Sequence, residues 1–181
     1  MKKVLIIAFD NTGLEYLSLR QVLESFGFSV LIKYIGRPNH FTEVLEGKME
    51  FDPDYIIISC HGEEGKIIMP VLAMSIYTGN EPRTDFSDKE ISQYLKIKNK
   101  IIINTGCMTG TEDMLLSFSR NQNVYIAPNN YIEGSSALFF VINFFYILTQ
   151  NNNVIQSFES AKNYDKETMV FVTSNNLYFP R

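Results

Sequence analysis

Four short runs rich in isoleucine and valine, at residues 4–9, 30–34, 55–59 and 101–103, constrain the fold more than any other feature of this chain. None shows the polar–apolar alternation of a half-exposed strand, so each reads as a strand buried on both faces, the habit of a parallel sheet. Residues 124–127 and 169–173 read as a fifth and a sixth strand. The stretches between them have helical character. Leu14, Leu17, Val22, Leu23 and Phe26 form an apolar stripe that stops at Gly27. Residues 41–46, before Gly47, predict a second helix, and the segment from Asp85 to Glu90 reads as the N-cap that opens a third, running to Leu95. A fourth starts at Thr111, directly after the fourth strand. Residues 135–150 form a strongly apolar helix, and residues 154–163 an amphipathic one, with Asn151, Asn152 and Asn153 as the turn between them. Lys66 to Pro70 reads as a small hairpin arm. Strands alternating with helices through right-handed crossovers predict a three-layer α/β/α sandwich. Its sheet is mostly parallel, with about six strands and the order 2-1-3-4 at its centre. No linker or repeat interrupts the pattern, so residues 1–181 are expected to form one domain.

Composition removes several function classes. With 45% apolar and 13% aromatic residues and a net charge of −4, the chain is not of the disordered type. Its sixteen Lys and Arg are scattered and form no basic stripe, so no nucleic-acid partner is expected. Residues 137–148 are apolar at eleven of twelve positions, with Asn143 the exception. A spanning helix needs about 20 such residues, so no membrane association is expected. The N-terminal apolar run is too short for a signal-peptide core, and there are only two cysteines, which predicts a cytoplasmic setting with free thiols. No GxxxxGK[ST] or GxGxxG follows the first strand, so no nucleotide cofactor is expected. Cys60, His61 and Cys107 make a poor metal set, because adjacent Cys60 and His61 coordinate together only awkwardly and no CxxC occurs. Neither a metal nor a cofactor is therefore expected.

In open parallel sheets, functional groups collect beyond the carboxyl ends of the strands. The loop after the first strand is Asp10-Asn11-Thr12-Gly13, that after the third is Cys60-His61-Gly62-Glu63-Glu64-Gly65, and that after the fourth runs from Asn104 to Gly110 around Cys107. If the third and fourth strands are neighbours, His61 and Cys107 meet at one edge of the sheet. A free thiol titrates near ~8.5, and an adjacent imidazole lowers that value and supplies a general acid/base. Gly106 and Gly110 allow the close backbone approach that an oxyanion site requires. Taken singly, a core cysteine and a structural histidine are the commoner roles; the pairing at two strand ends, each beside glycine, raises the chemical reading. His40 reads as a surface or capping residue.

The blocks DYIIISCHGEEGKIIMP and KIIINTGCMTGTEDMLLSF resemble the two catalytic blocks of caspase-like cysteine peptidases, in which one strand ends in His-Gly and the next in the nucleophilic Cys. His61 and Cys107 are 46 positions apart, against the about 50 of caspases. Cys107-Met108-Thr109-Gly110 and the segment SSALFFVINFFYILTQNNNVIQSFESAKN are similar to the bacterial CHAT subgroup. The resemblance implies a dyad with Cys107 as nucleophile and His61 as general acid/base. It further implies an oxyanion hole made by the backbone N–H groups of Gly62 and Cys107. Protein or peptide substrates follow, with an activating partner or a homodimer as further associations. The caspase Gln-Ala-Cys-x-Gly motif is absent, so cleavage after Asp is not expected. In this family the residue before the scissile bond sits in a pocket built from the loops after the first and fourth strands. Those loops offer Asp10, Glu112 and Asp113, with Glu63 and Glu64 near His61, which predicts a basic preference with Asp10 as pocket floor. The alternative is a catalytically silent caspase-like module used for protein binding.

Overall fold

The structure, a computed structural model, describes residues 1–10 and 12–174; Asn11, part of the loop after the first strand, lies outside the described residues. Six strands build the main sheet: β1 (Lys3–Phe9), β2 (Ser29–Ile35), β3 (Tyr55–Ser59), β6 (Ile101–Asn104), β7 (Val124–Pro128) and β8 (Phe171–Thr173). A two-stranded hairpin pairs β4 (Gly62–Glu63) with β5 (Lys66–Ile67); the expected arm at 66–70 shares only its second strand, because the turn falls at Glu64-Gly65, ahead of Lys66. The sheet order is β2-β1-β3-β6-β7-β8. Every pairing is parallel except that of β7 with β8. The expected central order is therefore present, extended by two strands.

The two faces of the sheet bury different side chains because residues alternate along each strand. Val4, Ile6, Tyr55, Ile57, Ile101 and Ile103 face one core. It is closed by α1 (Glu15–Ser25), α5 (Gly134–Asn151) and α6 (Val154–Lys162). Leu5, Ile7, Ile56, Ile58 and Ile102 face the other, closed by α2 (Pro38–Leu45), α3 (Asp88–Tyr94) and α4 (Glu112–Phe118). This is the predicted α/β/α sandwich. Among the described residues no helix is long and apolar enough to cross a membrane; the apolar character of α5 serves burial of Phe140, Val141, Phe144 and Phe145.

Helix ends follow local chemistry, with departures from the sequence expectations at the second helix and the last strand. Gly27 takes a φ of +89° after α1, which lets Phe28 N–H reach back to the Leu23 carbonyl at 3.1 Å and close the helix. Within the expected capping segment the N-cap is Ser87, which forms a reciprocal capping box with Glu90. Asp85 instead accepts a hydrogen bond from Met69 N–H at 2.9 Å and ties down the loop between the hairpin and α3. The second helix begins three residues earlier than the apolar pattern implied, because Pro38 has the φ that a first helical turn requires. His40 consequently lies inside that helix, half-buried, with a buried Nδ1 that has no hydrogen-bond partner among the described residues, and is not a surface cap. The last strand is shorter than expected, since residues 168–170 form a single 3-10 turn.

The long loop before α3 is pinned through Glu81. Its buried carboxylate accepts from Arg37 Nε at 2.9 Å and from the Arg37 terminal nitrogen at 2.5 Å, and from the N–H groups of Asn39 and Thr78 at 3.1 Å each. The Arg37 guanidinium, against the cost of burial, holds the carboxyl down to about 2. A depressed carboxylate stabilises the folded state above its unfolded value and stops doing so as pH falls toward the folded one. We expect the urea midpoint of the protein to drop between about pH 4.5 and 2. Glu81→Gln should start lower at pH 7 and lose less over that window; equal slopes for the two proteins would refute the assignment.

Candidate active site

The third and fourth main-sheet strands by sequence, β3 and β6, are hydrogen-bonded neighbours, with Tyr55 opposite Ile101 through Ile58 opposite Asn104. The loops that leave them pack backbone against backbone. A Cβ on Gly62 would stand 2.4 Å from the Cys107 carbonyl oxygen and 2.4 Å from Thr109 Cγ2. One on Gly106 would stand 2.8 Å from Cys60 Sγ and 3.2 Å from Gly62 N. Real side chains do not fit at those separations, so both positions require glycine. The His61-Gly62 turn and the Gly106-Cys107 turn are thus in direct contact.

Alternation decides which side chains share a face. Ile57 and Ile103 face the core under α1 and α5, and Cys107 packs against that same core. Cys60 belongs to the opposite core and is buried there. Burial pushes its thiol well above the ordinary range, and its Sγ donates to Asn104 Oδ1 at 3.2 Å. Cys60 is a packed residue. Cys107 is half-exposed, with Sγ 3.5 Å from the Ile132 carbonyl oxygen. Both thiols are free.

The turn that presents Cys107 is held by a buried polar cluster that sequence reasoning did not single out. Asn104 Oδ1 also accepts the Gly106 N–H at 2.7 Å, and Asn104 Nδ2 donates to the Tyr125 hydroxyl at 3.0 Å. That hydroxyl donates to the Thr109 carbonyl at 3.3 Å, and the Thr109 hydroxyl donates to the Gly106 carbonyl at 2.7 Å. Asn104, Tyr125 and Thr109 are all fully buried. Burial pushes the Tyr125 hydroxyl far above its ordinary range, so it stays neutral and able to donate. Met108 adopts a φ of +55°, a conformation a side chain rarely takes, fixed by Met108 N–H on the Asn130 carbonyl and Gly65 N–H on the Met108 carbonyl, each at 3.1 Å. A polar residue ending an otherwise aliphatic strand, as Asn104 does, is the sequence signal that could have flagged this cluster.

Two backbone N–H groups lie at the junction. That of Cys107 has no hydrogen-bond acceptor among the described residues. In the hairpin, Ile68 N–H donates to the His61 carbonyl at 3.0 Å, which makes Gly62 and Ile67 a non-hydrogen-bonded pair and turns the Gly62 N–H away from β5.

The acidic residues of the expected pocket lie on separate elements. Asp10 follows β1 and is exposed, its charge acting on Tyr16. Glu112 and Asp113 are exposed in the first turn of α4, the turn where acids favour a helix dipole. Because α4 packs on the α2 and α3 side through Met114 and Phe118, its helix covers the face opposite to Cys107. Among the described residues no group of three His, Cys, Asp or Glu is placed to hold a metal ion. An acid the sequence reading passed over, Glu15 at the start of α1, is half-buried beside the site and accepts from the Thr105 hydroxyl at 2.8 Å. The Ser59 hydroxyl is fully buried, lacks a hydrogen bond of ordinary geometry, and lies against the same carboxyl. Burial raises the Glu15 carboxyl above its ordinary value; Ser59, Thr105 and the charge of His61 act in the other direction.

No family model and no curated protein matches this sequence. Among solved structures the chain is similar to a secreted C11 cysteine protease from Bacteroides thetaiotaomicron, determined in complex with an irreversible peptide inhibitor. The TM-score is 0.53 at 13% identity, over 91% of this chain and 58% of that one. A second structure of a secreted C11 cysteine protease from that organism, termed iotapain, gives 0.47 at 10% identity, over 74% and 54% of the two chains. The chain therefore spans little more than half the length of these proteases. The six-stranded, mostly parallel sheet with helices on both faces is the fold of the caspase-like cysteine proteases.

Proposed function

We propose that this chain is a cysteine endopeptidase of caspase-like fold that acts through Cys107 and His61. The observation that carries the reading is the backbone contact of the Gly62 and Cys107 turns at the carboxyl end of two adjacent parallel strands. In the reaction, the Cys107 thiol passes its proton to His61 and the thiolate sulfur attacks the scissile carbonyl carbon. The resulting oxyanion lies before the N–H groups of Gly62 and Cys107, where fixed donors stabilise developing charge best. The C–N bond then breaks as His61 gives its proton to the leaving amine. Water, deprotonated by His61, attacks the thioester, releases the acid and restores the thiol.

The substrate is a protein or peptide, and cleavage after Arg or Lys is the preferred specificity. Asp10 is the carboxylate proposed to meet that side chain, with Glu112 and Asp113 contributing negative potential from the α4 side. Closeness to the CHAT subgroup is part of the reading. Its Thr-Gly pair has a clear task here: Thr109 closes the Cys107 turn, and a Cβ on Gly110 would collide with the Ala127 carbonyl oxygen at 2.7 Å. One domain over residues 1–181 and a cytoplasmic setting, in keeping with two free thiols, complete the proposal.

The test is a fluorogenic peptide panel with Arg, Lys, Asp and Ala at the cleavage position, with a peptidyl chloromethylketone as label. Hydrolysis after Arg and Lys, weakened by Asp10→Ala, and labelling at Cys107 rather than Cys60 are the expected results. Preference for Asp would overturn the specificity. An unlabelled Cys107 with no turnover would overturn the peptidase itself and leave a binding module.

A further inference from the structure

The main sheet has two edges of unlike construction. One is closed by β8, three residues long; the other is β2, which runs seven residues alongside β1. Its register is unbroken, from Lys3 opposite Ser29 to Phe9 opposite Ile35. Ser29 N–H donates to the Lys2 carbonyl at 3.0 Å, so in this parallel ladder Ser29, Leu31, Lys33 and Ile35 turn their backbone groups toward β1. Val30, Ile32 and Tyr34 turn theirs outward, and no backbone group among the described residues pairs with them. Natural sheets blunt an open edge with proline, a bulge, short length or several charges. The edge formed by β2 has no proline and no bulge, is as long as β1, and carries a single charge, Lys33. Apolar surface continues around it. Leu31 is 38% and Tyr34 56% exposed, and Tyr16 of α1 meets the Tyr34 ring edge-on at 5.4 Å. Leu14 and Leu17, beside Tyr16 in the chain, are exposed as well.

The outward groups complement themselves. An antiparallel second copy of β2 centred on Ile32 sets Ile32 against Ile32, Val30 against Tyr34 and Tyr34 against Val30. These pairs make six main-chain hydrogen bonds and leave no outward group unpaired. On the face under α1, where Val30 and Ile32 already pack, the exposed Tyr34 ring comes to lie beside Val30 of the second copy. On the opposite face Leu31 falls against Lys33 of the second copy, so the charge meets an apolar neighbour and not its own kind. Centring on Lys33 instead keeps only four bonds within β2 and sets the two lysines against each other. Centring on Leu31 also keeps only four. We propose that β2 is the interface through which two copies of this chain form a two-fold dimer, joining their sheets into one. A two-fold contact uses the same patch on both copies and leaves neither β2 edge open. The antiparallel join puts the Cys107 turns at opposite ends of the joined sheet. The proposal goes beyond the peptidase reading and does not rest on it.

The experiment is sedimentation equilibrium of the full chain, with residue-resolved amide hydrogen exchange, from about 1 to 100 μM. The unaltered protein should pass from monomer to dimer over this range. On dimerisation the Val30, Ile32 and Tyr34 amides should exchange about tenfold more slowly or better, while Leu31 and Lys33, bonded to β1, stay protected throughout. Tyr34→Pro removes one outward N–H without touching the β1 ladder, a change an edge strand tolerates, and should leave a folded monomer. Charge tests the register. Leu31→Lys sets like charges against each other twice per dimer and should raise the dissociation constant about tenfold. Leu31→Glu, opposite Lys33, should keep the dimer and make it salt-sensitive. Leu31→Lys combined with Lys33→Glu should restore it. If circular dichroism shows that Tyr34→Pro does not fold, the charge series alone decides. A monomer at every concentration overturns the proposal, and so does a dimer that survives in folded Tyr34→Pro or is indifferent to the charge series. Protection of alternate β2 amides that appears only when a peptide or another protein is added would give the edge to that chain and overturn the second copy as its occupant. Peptide cleavage enters none of these outcomes, so the peptidase reading stands or falls separately.

Discussion

Cys107→Ala is expected to lower kcat/KM on the best peptide of the panel by about 10⁴-fold or more, the scale on which nucleophile removal acts in proteases. No other group at the junction can replace it. Cys60, the second thiol of the chain, lies in the opposite core and is held protonated by burial. His61 alone could at most activate water, without the covalent intermediate that splits the reaction into two easier steps. Cys60→Ala is the matched control: it removes a buried sulfur from the other side of the sheet and should change stability more than turnover. Steady-state kinetics of the two variants, with melting curves to show that both fold, check the expectation. Activity that survives in Cys107→Ala and disappears in Cys60→Ala would reverse the assignment.

The largest effect on stability is expected at Phe140. Its ring is fully buried, stacked on Phe171 of β8 at a centroid distance of 3.6 Å and set edge-on to Phe158 of α6 at 6.3 Å. One side chain of α5 thus joins α6 and the last strand to the sheet. Phe140→Ala removes about 3–5 kcal/mol, from transfer, cavity and ring contacts together. Against the 5–15 kcal/mol of a typical domain this lowers the melting temperature by about 10 °C. Phe140→Leu, which refills most of the space, should cost less than half as much. Equal losses for Ala and Leu would mean that the ring contacts, not the volume, carry the energy.

The reading from sequence reached the scaffold because burial and period are local properties. Residues 4–9 or 56–58 have no polar position to turn toward water, and that alone places them inside a sheet covered on both faces. Gly27 and Asn153 mark helix limits by their own backbone and side-chain chemistry, with Asn153 Oδ1 accepting Gln156 N–H at 3.0 Å. The segment 85–90 is legible as the start of the third helix, but two residues of capping type, Asp85 and Ser87, precede it, and which of them caps it depends on Met69, which Asp85 meets only in the folded chain. His40 was misplaced because a proline at the first helical turn extends a helix beyond its apolar stripe.

By itself the sequence determined that strands and helices alternate, that His61 and Cys107 each follow a strand, and that glycine flanks both. Only the tertiary structure decided that those two strands are neighbours in register, that Cys60 and Cys107 belong to opposite cores, and that Asn104, Tyr125 and Glu15 gather around the turns. The physical reason is the range over which each property is set. Periodicity and turn chemistry act over a few residues and are written along the chain. The Thr105–Glu15 hydrogen bond joins positions 90 residues apart, and the Asn104–Tyr125 bond joins two strands. Such contacts exist only after the sheet has chosen its order, and the polar residues that make them look in the sequence like any other side chain at a strand end or a helix start.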